Sequence, residues 1–365
     1  MNDTDIATER RTATPAELGF SMPAEFAPHD ACWMLWPQRP DNWRYGAKPA
    51  QAAFVAVARA IAESETVFVG VNDDQYENAR NQLPSHIRVI ELSSNDAWMR
   101  DVGPTFLTHP DGRLAMVDWE FNAWGGLNGG LYFPWDKDRR IRQKIAEVLG
   151  IERFITPLVV EGGAIHVDGE GTLITTEECL LNPNRNPDLA KPEIERLLCA
   201  YLGVEKIIWL PRGCFQDETD GHVDNLCCFV APGEVALTWT DDDSDPQHAI
   251  SREALGILEA AIDARGRRLT VHKLPMPGPL TIAETEASGV DRLSSSRPRQ
   301  PGDRMAASYV NFYIGNSVVV MPRLDPAHDD EAHAILENLF PGRRVVAVDA
   351  REILLGGGNI HCITQ

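Results

Sequence analysis

Four segments of the chain alternate short apolar stretches with tight turns. In each segment, polar residues lead into an apolar stretch, a turn follows, and a second apolar stretch comes after it. The four turns have the sequences HPDG, DGEG, APGE and IGNS. Glycine-containing or similar tight turns between two apolar stretches are typical of β-hairpins. The pattern therefore predicts four hairpins.

Stretches with a helical pattern separate these hairpins. They have the sequences DRRIRQKIAEVLG, KPEIERLLCAYLG and SREALGILEAAIDARG, and each ends in glycine, as helices often do. Strands that alternate with helices along a chain are typical of the α/β class. We therefore expect an α/β fold.

The hairpins recur at a regular spacing. Thr105, Ala164 and Val223 occupy comparable points and lie 59 residues apart (164 − 105 and 223 − 164). The fourth hairpin, near Val310, comes 87 residues later (310 − 223), which leaves room for a long loop. A fixed period predicts a circular or stacked arrangement of similar units.

The two ends of the chain supply a fifth unit. The stretches ACWMLWP near the start and NIHCITQ at the end are both short, and we expect both to be extended. Their pairing would close a ring of five strand-and-helix units around an axis and would bury Cys362 at the closure. An open α/β sheet with a loose C-terminal tail is the alternative that the pattern leaves open.

Composition places the chain among ordinary globular proteins. Of its 365 residues, 43% are hydrophobic and 24% are charged. The sequence contains no run of about 18 apolar residues, so no membrane span is expected. The N-terminal stretch MNDTDIATERRTATPAELGF lacks the apolar core of a signal peptide. We therefore expect a cytoplasmic protein.

Charge and cysteine content narrow the function classes. The 34 lysines and arginines against 54 aspartates and glutamates give a net charge of −20 (34 − 54). This balance disfavours nucleic acid and anionic membranes as partners and favours cationic ligands. The seven cysteines include no CxxC pair, so neither a disulfide framework nor a structural zinc site is expected.

Polar residues interrupt the pattern where the chain enters the hairpins. Asp101, Glu161, His222 and Asp224 all lie at such entries. On a strand, His222 and Asp224 would face the same side, because they are two residues apart. Units around an axis would bring these entries together, with Cys362 added by the fifth unit. Each residue alone has an ordinary explanation as a turn former, cap or packed side chain, and only the set predicts catalysis.

This set of residue types suits chemistry on a guanidinium group. A nucleophilic cysteine must lose its proton, and a free thiol has a pKa of about 8.5. Carboxylates oppose that ionisation unless they face a bound cation. A planar guanidinium offers them five N–H donors in a fixed fork. The residues therefore favour attack by a thiol on a guanidinium carbon.

Five longer motifs resemble a known family. The stretches MPAEFAPHDACWMLWPQRPDNWR, NDAWMRDVGPTF, EGGAIHVDGEGTLITTEECLLN, GHVDN and GGGNIHCITQ are similar to the agmatine deiminases of the guanidine-modifying superfamily. The resemblance runs from about Met22 to Gln365, with no departure at the catalytic positions. It implies a five-bladed α/β propeller (the pentein fold). We expect residues 21–365 to form this single catalytic domain and residues 1–20 to form a flexible segment.

The resemblance also implies a reaction and a role for each residue. Cys362 would attack the guanidinium carbon of agmatine and form an amidino-cysteine intermediate. Asp101 and Asp224 would bind the guanidinium nitrogens. His222 would act as acid for the departing ammonia and then as base for water, while Glu161 would bind substrate and support proton transfer. The products would be N-carbamoylputrescine and ammonia, a step towards putrescine. The resemblance implies no metal or organic cofactor. It does imply a homo-oligomer, a dimer or larger.

Four further residues are candidates for substrate binding. Trp98 would line the channel for the aliphatic stem of agmatine, although core packing explains a tryptophan equally well. Glu218 and Asp220 would face the substrate ammonium, against the alternative of a solvated acidic loop. The glycines before Cys362 would let the backbone approach the substrate closely, and we assign Gly358 to the substrate-binding set.

Three other functions stay open from the sequence. Deimination of free arginine or of a peptidyl C-terminal arginine would need a group that holds the carboxylate. A polyamine-binding protein of the same fold would bind without turnover. A metallohydrolase using His166, His222, Asp224 and His361 has no recognisable ligand spacing in its favour.

Overall fold

Fifteen strands form five three-stranded sheets in the computed structural model, which describes residues 13–365. Sheet 1 contains β1 (Ala31–Leu35), β2 (Thr66–Val71) and β3 (Arg88–Glu91). Sheet 2 contains β4 (Thr105–Thr108), β5 (Leu114–Glu120) and β6 (Glu152–Val159). Sheet 3 contains β7 (Ile165–Val167), β8 (Thr172–Thr176) and β9 (Lys206–Leu210). Sheet 4 contains β10 (Cys227–Ala231), β11 (Glu234–Trp239) and β12 (Thr270–Pro275). Sheet 5 contains β13 (Tyr313–Ile314), β14 (Val318–Arg323) and β15 (Arg344–Asp349).

The α-helices of the described residues mostly connect these strands. They are α1 (Lys48–Ile61), α2 (Tyr76–Gln82), α3 (Met99–Val102), α4 (Ile141–Leu149), α5 (Glu177–Leu180), α6 (Lys191–Leu202), α7 (Pro246–Ala260), α8 (Glu284–Ala287), α9 (Asp329–Leu339) and α10 (Arg351–Leu355). Local signals fix several of their ends: Asp245 caps α7 through the Gln247 amide at 2.9 Å, and Gly203 ends α6 in the left-handed region.

Sheets 2 to 5 share one design. A hairpin pairs the first strand antiparallel to the second, and a helix then returns the chain to a third strand parallel to the second. The four predicted hairpins and their turns are confirmed. The three predicted helices correspond to α4, α6 and α7, although α7 begins earlier, at Pro246, and ends at Ala260.

Sheet 1 uses the end of the chain where the other sheets use a hairpin strand. The Trp33 amide donates to the Gln365 carbonyl at 2.8 Å, and the Gln365 amide donates to the Trp33 carbonyl at 3.0 Å. β1 is parallel to β2 on its other side, across α1. The predicted pairing of the two chain ends is therefore present, and a loose C-terminal tail is excluded.

Apolar clusters join the sheets in a closed cyclic order. One cluster spans sheets 2 and 3 with α6, a second spans sheets 3 and 4 with α7, and a third spans sheets 4 and 5 with α9. A fourth joins sheet 1 to sheet 5 and, through α4, to the neighbourhood of sheet 2. Since each unit buries apolar surface against its neighbours, the five units depend on one another for stability.

Two short segments differ from the sequence-based expectation. We expected the C-terminal stretch to be extended throughout, but His361–Ile363 forms a 3-10 turn. We expected His222 and Asp224 to face one side of a strand, but Val223–Asn225 is also a 3-10 turn and the strand begins only at Cys227. Asn311 and Asp217 supply side-chain hydrogen bonds at these two turns, which a strand pattern does not reveal.

The predicted flexible segment, residues 1–20, lies partly outside the described residues, which begin at residue 13. Within the described part, Ala16–Leu18 forms a 3-10 turn and Phe20 is buried. Ser21 forms an isolated bridge with Thr108, next to sheet 2. None of the helices in residues 13–365 combines the length and the apolar character that crossing a membrane requires.

We expect Arg142→Met to lower the free energy of unfolding by about 3 kcal/mol or more, because buried carbonyl oxygens lose a charged donor. The fully buried Arg142 guanidinium donates to the carbonyls of Gly103 at 3.0 Å and Trp119 at 2.7 Å, and also to that of Asp101. Urea denaturation measures the change. Arg140→Met is the matched control at an exposed position, and equal effects of the two substitutions would contradict this account.

Candidate active site

Gly163 marks the centre of the site. A Cβ at this position would lie 2.5 Å from His222 Nδ1, 2.9 Å from Asp224 Oδ2 and 3.0 Å from Asp101 Oδ1. These residues come from the entries of three different sheets, at Gly162–Ala164, Val223–Asn225 and α3. The structure therefore brings the predicted residues together, and it does so around a glycine that leaves room for them.

Cys362 joins this group from the C-terminal turn. Its Sγ lies 3.6 Å from Asp224 Oδ2 and 3.3 Å from Asn311 Nδ2. The side chain is 7% exposed and lines the pocket. The sulfur is thus accessible from the pocket on one side and held by polar groups on the other.

Asp101 is fixed by two donors. Its Oδ1 accepts from the Gly163 amide at 3.0 Å and its Oδ2 accepts from Trp124 Nε1 at 2.8 Å. Trp124 has a φ of 61°, which side-chain-bearing residues rarely adopt and which often marks a functional site. Burial nevertheless raises the pKa of the Asp101 carboxyl, although the nearby His222 opposes the shift.

Asp224 is held by a different partner. Its Oδ2 accepts from His361 Nδ1 at 2.9 Å, whereas its Oδ1 is buried without a hydrogen-bond partner among the described residues. Burial acts to raise the pKa of this carboxyl, but the hydrogen bond and charge of His361 outweigh burial and lower it. Asp224 is therefore ionised and keeps one oxygen uncommitted.

His222 and Glu161 form an ion pair behind the thiol. His222 Nε2 lies 3.5 Å from Glu161 Oε2, and Glu161 Oε1 accepts from Arg185 Nε at 2.8 Å. Burial alone would raise the pKa of Glu161, but the charge of Arg185 outweighs burial and lowers the pKa to about 2. Burial lowers the pKa of His222, but Asp101 and Glu161 raise it well above its usual value. The two neighbouring carboxylates thus favour the imidazolium form of His222 in the free site.

The pocket in front of Cys362 contains the predicted substrate-binding residues Trp98, Glu218 and Gly358. A Cβ on Gly358 would lie 2.5 Å from the Trp98 ring and 3.1 Å from Cys362 Cβ, so the glycine is sterically required. Trp98 Nε1 donates to Asp96 at 3.2 Å. Asp96 also accepts from Trp43 Nε1 at 2.8 Å, and sequence reasoning missed this buried carboxylate.

Each of the two acidic candidates for the substrate ammonium has an arginine partner. Glu218 accepts from Arg299 Nε at 3.0 Å and from Arg299 Nη2 at 2.6 Å. Asp220 accepts from Arg185 Nη1 at 2.9 Å. Glu218 therefore lines the pocket as a neutralised pair, while Asp220 belongs to the support of Glu161. Both arginines lie far away in the sequence from the residues that they hold, which hid them from a reading of local motifs.

The four residues of the metallohydrolase alternative do not form one group. Among residues 13–365, His166 and His361 approach Glu25, while His222 approaches Glu161 and Cys179. The carboxylate in each group already pairs with a guanidinium, Arg100 in the first and Arg185 in the second. A guanidinium at ion-pair distance competes with a metal cation for the same oxygens. The donor sets therefore fit hydrogen-bonded ion pairs better than metal centres.

The electrostatic environment keeps the thiol neutral. Burial, together with the charges of Asp224 and Asp101, raises the pKa of Cys362 well above its usual value. The donor from Asn311 acts in the opposite direction but does not compensate. A cation placed between the two carboxylates would reverse the balance, since it would cancel the charges that oppose the thiolate.

Comparisons with known proteins agree with this geometry. Residues 21–365 match the model of the Porphyromonas-type peptidyl-arginine deiminase family. The chain is 59% identical over 356 residues to a curated agmatine deiminase of Pseudomonas aeruginosa (strain LESB58), with 97% of each chain covered.

Two solved structures are also similar. The agmatine deiminase of Enterococcus faecalis has a TM-score of 0.94 and 47% identity, with 97% of each chain covered. A putative arginine deiminase from Porphyromonas gingivalis has a TM-score of 0.82 and 31% identity, with coverage of 95% of this chain and 97% of that one.

We expect Gly163→Ala to reduce turnover by at least about a hundredfold, because the new methyl group would misplace reacting groups by close to 1 Å. The activity assay is ammonia release, and the melting temperature reports on folding. Gly256→Ala is the matched control, since a Cβ there meets nothing within 4 Å. Similar losses of activity for the two variants would contradict the close approach at Gly163.

Cys362 should react slowly with the neutral reagent iodoacetamide at pH 7, at least about tenfold more slowly than a free thiol, because a pKa raised by one unit cuts the thiolate fraction tenfold. The thiol is neutral below its pKa, so the rate should keep rising through pH 9. Mass spectrometry of the C-terminal peptide measures the rate. Asp224→Asn should raise it at neutral pH, and a plateau below pH 8 in the unmodified protein would contradict the prediction.

Proposed function

This chain belongs to the Porphyromonas-type peptidyl-arginine deiminase family and, within it, to the agmatine deiminases, and on that premise we propose that it hydrolyses agmatine to N-carbamoylputrescine and ammonia. The observation that carries the proposal is the convergence of the Cys362 thiol with Asp101, Asp224 and His222 around Gly163. This arrangement suits nucleophilic attack on a planar cation. The reaction is a step in the formation of putrescine.

Asp101 and Asp224 bind the guanidinium of the substrate. Both carboxylates lie beside the thiol, and Asp224 Oδ1 has no hydrogen-bond partner within residues 13–365. Buried carboxylates that lack a cation are costly, and a guanidinium supplies charge and N–H donors at once. Its binding also orients the central carbon towards Cys362 Sγ.

The bound cation activates the nucleophile. In the free site the pKa of Cys362 is raised by burial and by the two carboxylates. Once a guanidinium neutralises those carboxylates, the thiol releases its proton to solvent more easily, so the thiolate forms where the substrate is already in place. Activation by the substrate explains how a nucleophile works among negative charges.

The first half-reaction transfers the amidine carbon to sulfur. Cys362 Sγ forms a bond to the guanidinium carbon, and the tetrahedral adduct collapses with loss of one nitrogen as ammonia. His222, held as an imidazolium between Asp101 and Glu161, gives that nitrogen its proton. The product on the enzyme is an amidino-cysteine (thiouronium).

The second half-reaction hydrolyses this intermediate. His222, now neutral, takes a proton from a water molecule, and the hydroxide adds to the same carbon. The C–S bond breaks, the thiol is regenerated, and the urea group of N-carbamoylputrescine leaves. Glu161 supports both proton transfers, since its charge restores the imidazolium form of His222. Overall, agmatine and water give N-carbamoylputrescine and ammonia, without a metal or organic cofactor.

Trp98, Gly358 and Glu218 shape the rest of the substrate pocket. The Trp98 ring and Gly358 form a narrow passage beside Cys362 that suits an unbranched aliphatic stem. Glu218 receives the substrate ammonium by sharing its carboxylate with Arg299, which also donates to the Gly356 carbonyl at 2.7 Å. The pair therefore ties the mouth of the pocket to the loop that carries Cys362.

We further propose that the five sheets form the blades of a closed propeller of the pentein type, with residues 21–365 as a single catalytic domain. The cyclic order of the apolar clusters and the Trp33–Gln365 pairing support this architecture. A cytoplasmic location and a homo-oligomeric state remain predictions from the sequence and the family resemblance. Nucleic acid and membranes are not expected as partners.

One observation favours a second candidate, deimination of arginine or of a peptidyl C-terminal arginine. Arg297 and Arg299 both line the pocket in front of Cys362, and a guanidinium is the usual partner of a substrate carboxylate. Arg299 is already committed to Glu218, which weakens this alternative. The substrate range distinguishes the two candidates.

We expect ammonia release from agmatine and little from arginine or from a peptide ending in arginine, because Arg299 is already committed to Glu218 and is not free to hold a substrate carboxylate. Butylguanidine, which lacks the ammonium group, should show a raised KM with a smaller change in kcat. The measurement is a coupled ammonia assay with each compound at matched concentrations.

Cys362→Ser is the control for the covalent step and should abolish release while agmatine still binds in a calorimetric titration. Release from arginine that equals release from agmatine would overturn the substrate assignment. Binding of agmatine by the unmodified protein without any release would identify a polyamine-binding protein instead.

A further inference from the structure

A line of ionisable side chains extends from the candidate active site away from the substrate pocket. Asp224 Oδ2 accepts from His361 Nδ1 at 2.9 Å, and His361 Nε2 lies 2.9 Å from both carboxylate oxygens of Glu25. Glu25 in turn accepts from Arg100 Nη1 at 2.7 Å. The mechanism above uses only the first of these groups.

His361 is enclosed by charged groups on every element packed against it. Asp224 approaches from the Val223–Asn225 turn and Glu25 from the segment before β1. Arg100 of α3 donates from Nε to the His361 carbonyl at 3.4 Å, and the His166 ring of β7 stacks at 6.2 Å. His361 itself is 3% exposed. Two carboxylates thus face the two ring nitrogens directly, so both nitrogens act as donors.

The cationic neighbour Arg100 does not outweigh the carboxylates. Burial and Arg100 lower the pKa of His361, but the charge of Glu25 and the hydrogen bonds to Asp224 and Glu25 raise it overall. An imidazolium donates from both nitrogens, whereas a neutral ring donates from only one. The geometry therefore matches the cationic form.

We propose that His361 is a positioning residue, a buried imidazolium clamped by Glu25 that fixes the Asp224 carboxylate with Oδ2 occupied and Oδ1 free for the substrate guanidinium. Glu25 acts one step further out, because it keeps His361 charged. Without that cation, Asp224 would be free to rotate or to take up a proton. The inference rests on the proposed function, since it assigns the orientation of a carboxylate that binds the guanidinium.

The series of contacts from Glu25 through His361 to Asp224, called the relay below, has a defined dependence on pH. His361 has a folded-state pKa above its usual value, so it keeps its charge to a higher pH than a free imidazole and loses it as the pH rises through that raised value. Glu25→Gln removes the anion at Nε2 and leaves a hydrogen-bond acceptor of the same size. The pKa of His361 should then fall by about one unit or more, which corresponds to loss of one close charge interaction.

The first measurement is a nitrogen NMR titration of the full-length protein with labelled histidine. The His361 signal is assigned from its absence in His361→Asn. We expect both ring nitrogens of His361 to be protonated at pH 7 in the unmodified protein and the titration to move to lower pH in Glu25→Gln. A neutral ring at pH 7, or an unmoved titration in Glu25→Gln, would overturn the proposal.

The second measurement is kcat/KM for agmatine from pH 6 to pH 9. The ratio of unmodified protein to Glu25→Gln should be smallest at pH 6, where both proteins hold His361 as a cation, and should grow by about tenfold towards pH 9. A purely structural role of the Glu25–Arg100 pair predicts a loss that does not depend on pH. A constant ratio would therefore contradict the relay.

Two further variants separate positioning from folding. His361→Asn keeps a donor near the position of Nδ1 and should retain at least about tenfold more activity than His361→Leu, which leaves Asp224 unpaired. Thr364→Val is the matched control, because Thr364 donates only to the carbonyls of Ile360 and His361 in the same buried turn. Equal losses in the Asn and Leu variants, or a Thr364→Val profile that matches Glu25→Gln, would overturn the assignment.

The ammonia assay and the NMR titration together separate this inference from the proposed function. If the unmodified protein releases no ammonia from agmatine, the proposed function fails, while the NMR titration still reports whether Glu25 holds His361 as a cation. If ammonia release is normal and His361 proves neutral, only the relay fails.

Discussion

Two backbone hydrogen bonds between Trp33 and Gln365 determine what the end of this chain can do. A C-terminus without such bonds is usually frayed and cannot position a nucleophile. Here the last residue completes sheet 1, and the turn at His361–Ile363 is therefore held two to four residues from a fixed point. Since the apolar clusters link the sheets in a closed order, closure at Trp33 also stabilises the entries of the other sheets around Gly163.

The convergence of the sheet entries around Gly163 concentrates negative charge, and the site depends on how that charge is balanced. Asp101, Glu161 and Asp224 are all at most 3% exposed, and buried carboxylates without partners would destabilise the fold. Arg185 compensates Glu161 and His361 compensates Asp224. Asp101 has neutral donors and the His222 imidazolium at 3.8 Å, yet burial raises its pKa. A cationic substrate supplies the missing charge, which links binding to local stability.

The sequence was sufficient for those features that depend on local patterns. Glycine turns between apolar stretches predicted the hairpins, and the 59-residue spacing predicted that Asp101, Glu161 and His222 would converge. The sequence did not reveal the partners that make these residues work. Glu25 and His361 lie 336 residues apart, and Arg299 and Glu218 lie 81 apart. Such contacts exist only after the ring has closed, so no local period carries a signal for them. The 3-10 turns were missed for a related reason, since Asn311, distant in the sequence from both, forms a hydrogen bond with each of them.

The same electrostatics accounts for the contrast between Cys362 and the buried Cys227. Burial alone raises the pKa of Cys227. Cys362 is buried too, but part of its pKa shift comes from Asp224 and Asp101, which bind the guanidinium in the proposed mechanism. That part is reversible, because a bound guanidinium cancels it. A thiol that ionises only beside its substrate avoids oxidation in the free enzyme, where the neutral form reacts slowly. On the proposed function, the carboxylates therefore select the cation and also restrict the reactivity of the nucleophile to the moment of binding.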